Sequence, residues 1–230
     1  MHKAIKEYNL KKNGDKIAVG ISGGKDSLCL LKALAIYQKF STEKFELLAI
    51  TIDLFNGKYD LSSLKNFCKE LNVELIIVKS QIAEIIFDIR KETNPCSLCA
   101  NMRRGLLNST AKERGCNKVA LGHHKDDLIE TFFLSMIYEG RLNTFHPITY
   151  LSNVQIDVIR PLIYVDEHLI INEKNNLPIF KNPCPADKHT KREEIKELLK
   201  EIDTKFNCKK NIGNALLNKE KYNLLDKSNK

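Results

Sequence analysis

Phe45–Ile52 reads FELLAITI, an apolar run in which polar and apolar residues do not alternate. A strand with one wet face alternates, whereas a strand covered on both faces has no reason to. Similar β-prone runs occur at Lys16–Val19, Val73–Val78, Lys118–Leu121 and Gln155–Ile163, the last ended by Pro161. Between them the apolar residues change to helical spacing. Leu28, Leu31, Leu34 and Ala35 follow the first run, and Leu61, Leu64, Phe67, Cys68 and Leu71 the second. Ile82, Ile85, Ile86 and Ile89, then Leu98, Met102 and Leu106, follow the third; Leu128, Ile129, Phe132, Phe133 and Met136 follow the fourth. Strands alternating with helices imply a mostly parallel sheet with helices on both faces. Crossovers of one hand make it a doubly wound α/β fold, here with five strands. On such a sheet ligands bind beyond the carboxyl ends of the strands, near the switch in strand order. Two polar loops, Ser22–Ser27 and His123–Asp127, follow such strand ends.

The tail is of another kind. Thr190 with Glu193 fits a capping box, and Ile195, Leu198, Leu199, Ile202 and Phe206 form one helical stripe. The expected organisation is an α/β domain over residues 1–165 with an inserted CxxC helix, and a small C-terminal helical lobe over 166–230. No run of 18 apolar residues is present, so no membrane span is expected. The N-terminus lacks the apolar core of a signal peptide, which points to the cytoplasm. In that reducing compartment the seven cysteines read as metal ligands, reactive thiols or core fillers. The net charge of +8 suits a polyanionic partner such as nucleic acid, or a solvated basic surface.

Four groups of residues carry chemistry. Ser22-Gly23-Gly24-Lys25-Asp26-Ser27, entered through Ile21, lies between a strand and a helix. Its glycines admit a phosphate close to the backbone, and the helix N-terminus offers N–H groups and a positive dipole end. It lacks the GxxxxGK[ST] spacing of a Walker loop. Cys96-Ser97-Leu98-Cys99 is a CxxC, with Cys184 far downstream in a matching Asn-Pro-Cys context. Such cysteines suit zinc, an iron–sulfur cluster or a redox pair. Gly122-His123-His124-Lys125-Asp126-Asp127 brings adjacent carboxylates, suited to Mg²⁺ or to a helix start. The adjacent histidines point different ways, which disfavours a zinc site. Arg103 and Arg104 follow the CxxC and suit phosphate contact or a solvated helix face. Asp53 at the end of the second strand is either a nucleotide contact or a turn residue.

The SGGKDS loop resembles the signature loop of the PP-loop ATP pyrophosphatases, the HUP-like adenine nucleotide alpha-hydrolase group. That resemblance implies ATP held by Ile21, Ser22, Gly23, Gly24, Lys25, Asp26 and Ser27, and attack of a substrate carbonyl oxygen on its α-phosphate. PCSLCANMRRGLL, LGHHKDD and the later PC are similar to the tRNA 2-thiocytidine synthetase family, with the tRNA thiouridine synthetases as relatives, from about Lys16 to Phe206. This second resemblance implies a [4Fe–4S] cluster on Cys96, Cys99 and Cys184, with one iron open to hold sulfide. It also implies catalytic roles for Asp126, Arg103 and Lys25, nucleotide contacts at Asp53, Gly122 and Asp127, and Mg²⁺ at Asp126 and Asp127. The implied partners are tRNA, a sulfide or persulfide donor such as a cysteine desulfurase, and a second copy of the chain in a homodimer. Asp187 stands where some members carry a further cysteine, and the terminal zinc-binding CxxC pairs of the thiouridine branch are missing. That favours the thiocytidine branch. Two other readings stand beside it: a tRNA lysidine synthetase-like ligase, which needs no cysteines, and a non-catalytic RNA-binding protein with structural zinc. Cys29, Cys68, Cys116 and Cys208 read as structural.

Overall fold

A computed structural model describes residues 1–57, 60–86, 95–180 and 190–218. The elements run α1 His2–Glu7, β1 Asp15–Ile21, α2 Lys25–Phe40, β2 Phe45–Asp53, α3 Ser62–Glu70, β3 Glu74–Lys79, α4 Ile82–Glu84, α5 Pro95–Glu113, β4 Lys118–Ala120 and α6 Lys125–Leu134. They continue as β5 Ile148–Leu151, β6 Ile156–Ile159, α7 Glu167–Asn172, α8 Lys191–Phe206 and α9 Lys209–Leu217. The sheet order is β3-β2-β1-β4-β6-β5. All pairings are parallel except β5 with β6. This is the doubly wound α/β fold read from the sequence, but with six strands among the described residues rather than five. The additional strand, β5, has only four residues and exposes Tyr150, so it carries almost no pattern to read.

The contacts divide the chain into two compact units, Met1–His124 with His146–Ala186, and Lys125–Phe145 with Asp187–Lys230. The first holds the sheet. On one face, Ala18, Leu48, Ile50, Val119, Ile156 and Val158 pack with Leu107 and Ala111 of α5. Leu28, Leu31 and Leu34 of α2 are buried. At the amino ends of the strands, the Lys118 ammonium is buried 3.2 Å from Asp157 and 3.8 Å from Asp15. Asp15 also accepts from the Asn117 amide at 2.7 Å, so this buried charge is compensated. The second unit is helical. Ile129 of α6 packs with Ile195 and Leu199 of α8, flanked by Ile212 and Leu216 of α9. That shared core groups residues 125–145 with the tail, whereas the expected boundary at 165 left them with the sheet. Among the described residues no helix is long and apolar enough to cross a membrane.

β1 sits between β2 and β4, so the chain winds outward from it in both directions. The loops after β1 and β4 therefore flank the switch in strand order, where a crevice opens at the carboxyl edge.

Candidate nucleotide and cluster site

β1 ends at Ile21, whose carbonyl accepts from the Thr51 hydroxyl at 3.0 Å. The chain then turns through Ser22, Gly23 and Gly24 into α2. Gly23 has φ +89°, which L side chains rarely adopt, and Gly24 caps the helix in an extended conformation. The serines hold the loop together. The Ser27 hydroxyl accepts the Ser22 N–H at 3.2 Å and donates to the Gly24 carbonyl at 3.1 Å. The two serine oxygens lie 3.2 Å apart. The first turn of α2 presents its backbone N–H groups at this loop, the usual setting for an anion.

Lys25 donates to Glu167 at 2.9 Å and lies 3.1 Å from Asp26. Burial opposes its charge, but the Glu167 and Asp26 carboxylates outweigh burial and hold its pKa above the ordinary lysine value. His124, buried after β4, places Nε2 3.6 Å from an Asp26 oxygen. Gly122 lies against the same turn. A Cβ there would fall 2.9 Å from the Asp26 carbonyl carbon and oxygen and from the Ser27 nitrogen. Gly122 is thus a spacer that lets β4's loop touch the start of α2.

Beside the loop, Ser22, Asp53, Leu54, Leu61, Arg103 and Phe180 line one pocket. The structure therefore brings together three residues chosen from sequence, Ser22, Asp53 and Arg103. Asp53 is the turn residue expected as one of its two readings, its carboxylate accepting the Phe55 and Gly57 N–H groups after β2, and it also lines the pocket. Arg104, by contrast, is exposed and bonds its own helix at Ala100 and Asn101.

Cys96 and Cys99 lie in the first turn of α5, three residues apart. Cys99 packs with Met102 and Leu106 against Leu54, Ile82 and Ile86. Arg103 stands one helical turn beyond Cys99, a rise of about 6 Å. Two thiols at this spacing fit two corners of an iron–sulfur or zinc site, because soft thiolates suit both. Cys184, the expected third ligand, and Asp187 lie outside the described residues. Among those described, no three His, Cys, Asp or Glu side chains gather as a metal site.

The acidic loop opens α6 in the second unit. Asp126 is buried and ion-paired with Lys209 of α9. Asp127 lies 3.3 Å from Arg192 of α8, which also reaches Glu130 at 3.0 Å. Both candidate Mg²⁺ ligands thus face cationic side chains.

The profile of the PP-loop domain matches residues 1–202. The chain belongs to the PP-loop family. Its sequence is similar to the tRNA-cytidine(32) 2-sulfurtransferase of Aliivibrio fischeri (strain MJ11), 38% identical over 207 residues, which cover 88% of this chain and 67% of that protein. The enzyme of the same name from Ralstonia pickettii (strain 12J) is 37% identical over 203 residues, 86% of this chain and 64% of that protein. The fold superimposes on the U34-tRNA thiolase NcsA from Methanococcus maripaludis with its [4Fe-4S] cluster, with a TM-score of 0.74 and 27% identity. That match covers 94% of this chain and 76% of the thiolase.

Within this PP-loop chain, sequence reasoning missed Glu167, Phe180 and Glu130. Glu167 opens a six-residue helix with too few turns to show a period. Phe180 follows Leu-Pro-Ile in a segment without regular structure. Glu130 sits beside the acidic loop, yet nothing in its spacing distinguishes it from a solvated residue.

Proposed function

We propose that this chain is a cytoplasmic ATP-dependent tRNA sulfurtransferase that adenylates the C2 carbonyl of a tRNA pyrimidine, cytidine, and replaces its oxygen with sulfur. The observation that carries this reading is the position of Arg103. It lines the pocket beside the PP-loop and stands one turn from Cys99 on the same helix, which supports a reading in which ATP chemistry and thiol chemistry meet. The relatives named for tRNA sulfur transfer support the substrate class.

The first turn of α2 and Lys25 bind the pyrophosphate part of ATP. The base's carbonyl oxygen attacks the α-phosphorus, and pyrophosphate leaves. A carbonyl oxygen is a poor leaving group, and AMP carrying that oxygen is a good one. Sulfur then bonds to the carbon, and AMP departs with the oxygen. Arg103 stabilises charge on the phosphoryl oxygens. Cys96, Cys99 and Cys184 would hold a [4Fe–4S] cluster, which when bound supplies the nucleophilic sulfur. A sulfide donor restores it, or a persulfide donor such as a cysteine desulfurase together with a pair of thiols whose oxidation to a disulfide supplies the two electrons that release the sulfur as sulfide, and the acting form is a homodimer. Mg²⁺ accompanies the ATP. Asp126 and Asp127 are its ligands only if Lys209 and Arg192 give way, so no step is assigned to it there.

The test is anaerobic iron and acid-labile sulfide content, with an absorption spectrum, on wild type, Cys99→Ala and Cys184→Ala. About four irons and four sulfides per chain, lost in both variants, are expected for a three-thiolate cluster. Tightly held zinc and no cluster after reconstitution would refute it, and the lysidine-like ligase and structural-zinc readings would then lead.

A further inference from the structure

Phe180 belongs to none of the motifs, yet it is joined to the PP-loop twice. Its N–H donates to the Gly23 carbonyl at 3.3 Å. Its ring lies on the Gly23 α-carbon so closely that a Cβ there would meet three ring carbons at 2.5 to 2.9 Å. Phe180 also lines the pocket, with Ile52, Leu54 and Leu61, and Ser22, Thr51, Asp53 and Arg103 form the polar half of the lining. The cavity left among them is about 20 Å³, room for about one water.

This combination does not suit a polyphosphate, which has no use for an aromatic ring and two leucines. The loop next door already offers N–H groups to phosphate. A lining divided evenly between apolar and polar residues suits a flat ring whose edges carry donors and acceptors. An aromatic side chain offers such a ring its face. We propose that Phe180 is a further binding residue of this site: its ring is the stacking face for a planar heteroaromatic base, and it covers the pocket until the base arrives. The base comes from ATP or from the RNA strand. The inference rests on the ATP-dependent reading above.

The chain contains no tryptophan, so Phe180→Trp creates a single fluorophore at the pocket. A saturable change in its emission is expected with ATP and with AMP, and none with inorganic tripolyphosphate. A response to a cytidine-containing anticodon stem-loop alone would assign the face to the RNA base and still support the proposal. Calorimetric titration provides the second arm. Phe180→Leu, which keeps bulk without the ring, should weaken binding of the responding ligand about tenfold, the effect of losing one base–aromatic stack. Phe180→Tyr should bind as wild type does. Tripolyphosphate matching ATP in the fluorescence assay would overturn the proposal. So would Phe180→Leu binding both ATP and RNA as tightly as wild type, leaving the ring as a cover for Gly23 alone. Failure of the wild-type protein to bind ATP would instead refute the ATP-dependent reading, which separates the two.

Discussion

Gly122→Ala tests whether Gly122 contacts nucleotide or spaces the protein's own backbone. The added methyl would sit 2.9 Å from three backbone atoms of Asp26 and Ser27, inside the range in which something must shift. None of the three is the end of a flexible side chain, so the first turn of α2 has to move. Overpacking of this kind costs about 1–3 kcal/mol. For a chain of this length that is a drop of about 2–12 °C in Tm. The displaced atoms include the Ser27 N–H, one of the groups at the loop, so ATP affinity should fall with stability. Gly105→Ala is the control. It lies exposed in α5 with nothing within 4 Å of the added carbon, and the change should raise stability by about 0.5–1 kcal/mol. Thermal unfolding by circular dichroism and calorimetric titration with ATP read both quantities. The reasoning fails if Gly122→Ala melts with the wild type and binds ATP equally well, or if the two alanines shift Tm in the same direction.

Burial raises the Cys68 thiol from its ordinary value near 9 to about 11, because the fold admits the neutral form and not the thiolate. The folded pKa lies above the unfolded one, so this stability is complete below about pH 9 and is lost as pH rises through about 11. Two pKa units correspond to about 3 kcal/mol. Unfolding midpoints in denaturant should therefore fall over this window, and Cys68→Ala should lessen that slope; Cys29 and Cys116, also raised by burial, and Tyr164 and Lys25, whose pKa values the fold likewise raises, keep the remainder. In the second unit, a double-mutant cycle of Asp126→Ala and Lys209→Met should give a coupling of about 0.5–3 kcal/mol. A coupling of zero would show that this ion pair does not hold α9 to α6.

The parts of this protein that could be read in advance are those where local chemistry and long-range order impose the same requirement. The unalternated run at Phe45–Ile52 became β2 because a strand with neighbours on both sides has little wet surface: Leu48 to Thr51 are all buried and only Glu46 is exposed, and the run encodes that directly. Ser22–Ser27 was legible for a related reason: a strand-to-helix turn that must leave its backbone open to a phosphate uses glycine and small polar residues, and little else fits. Thr190 was legible because an N-cap is local, and its side chain accepts the Glu193 N–H as expected. The rest depends on partners far away in sequence. Gly122 matters through Asp26, 96 positions earlier, and Phe180 through Gly23, 157 positions earlier; neither separation leaves a period or a spacing to detect. The acidic loop shows the limit most sharply. Adjacent carboxylates at a helix start look the same in sequence whether a metal or an ammonium group neutralises them. Asp126 and Asp127 face Lys209 and Arg192, so the choice turns on whether Mg²⁺ with ATP can displace cations held in place by α8 and α9. The same Asp126–Lys209 cycle, repeated with saturating Mg²⁺ and ATP, decides it: a coupling that collapses under those conditions assigns Asp126 to the metal, and one that persists assigns it to the helical unit's own packing.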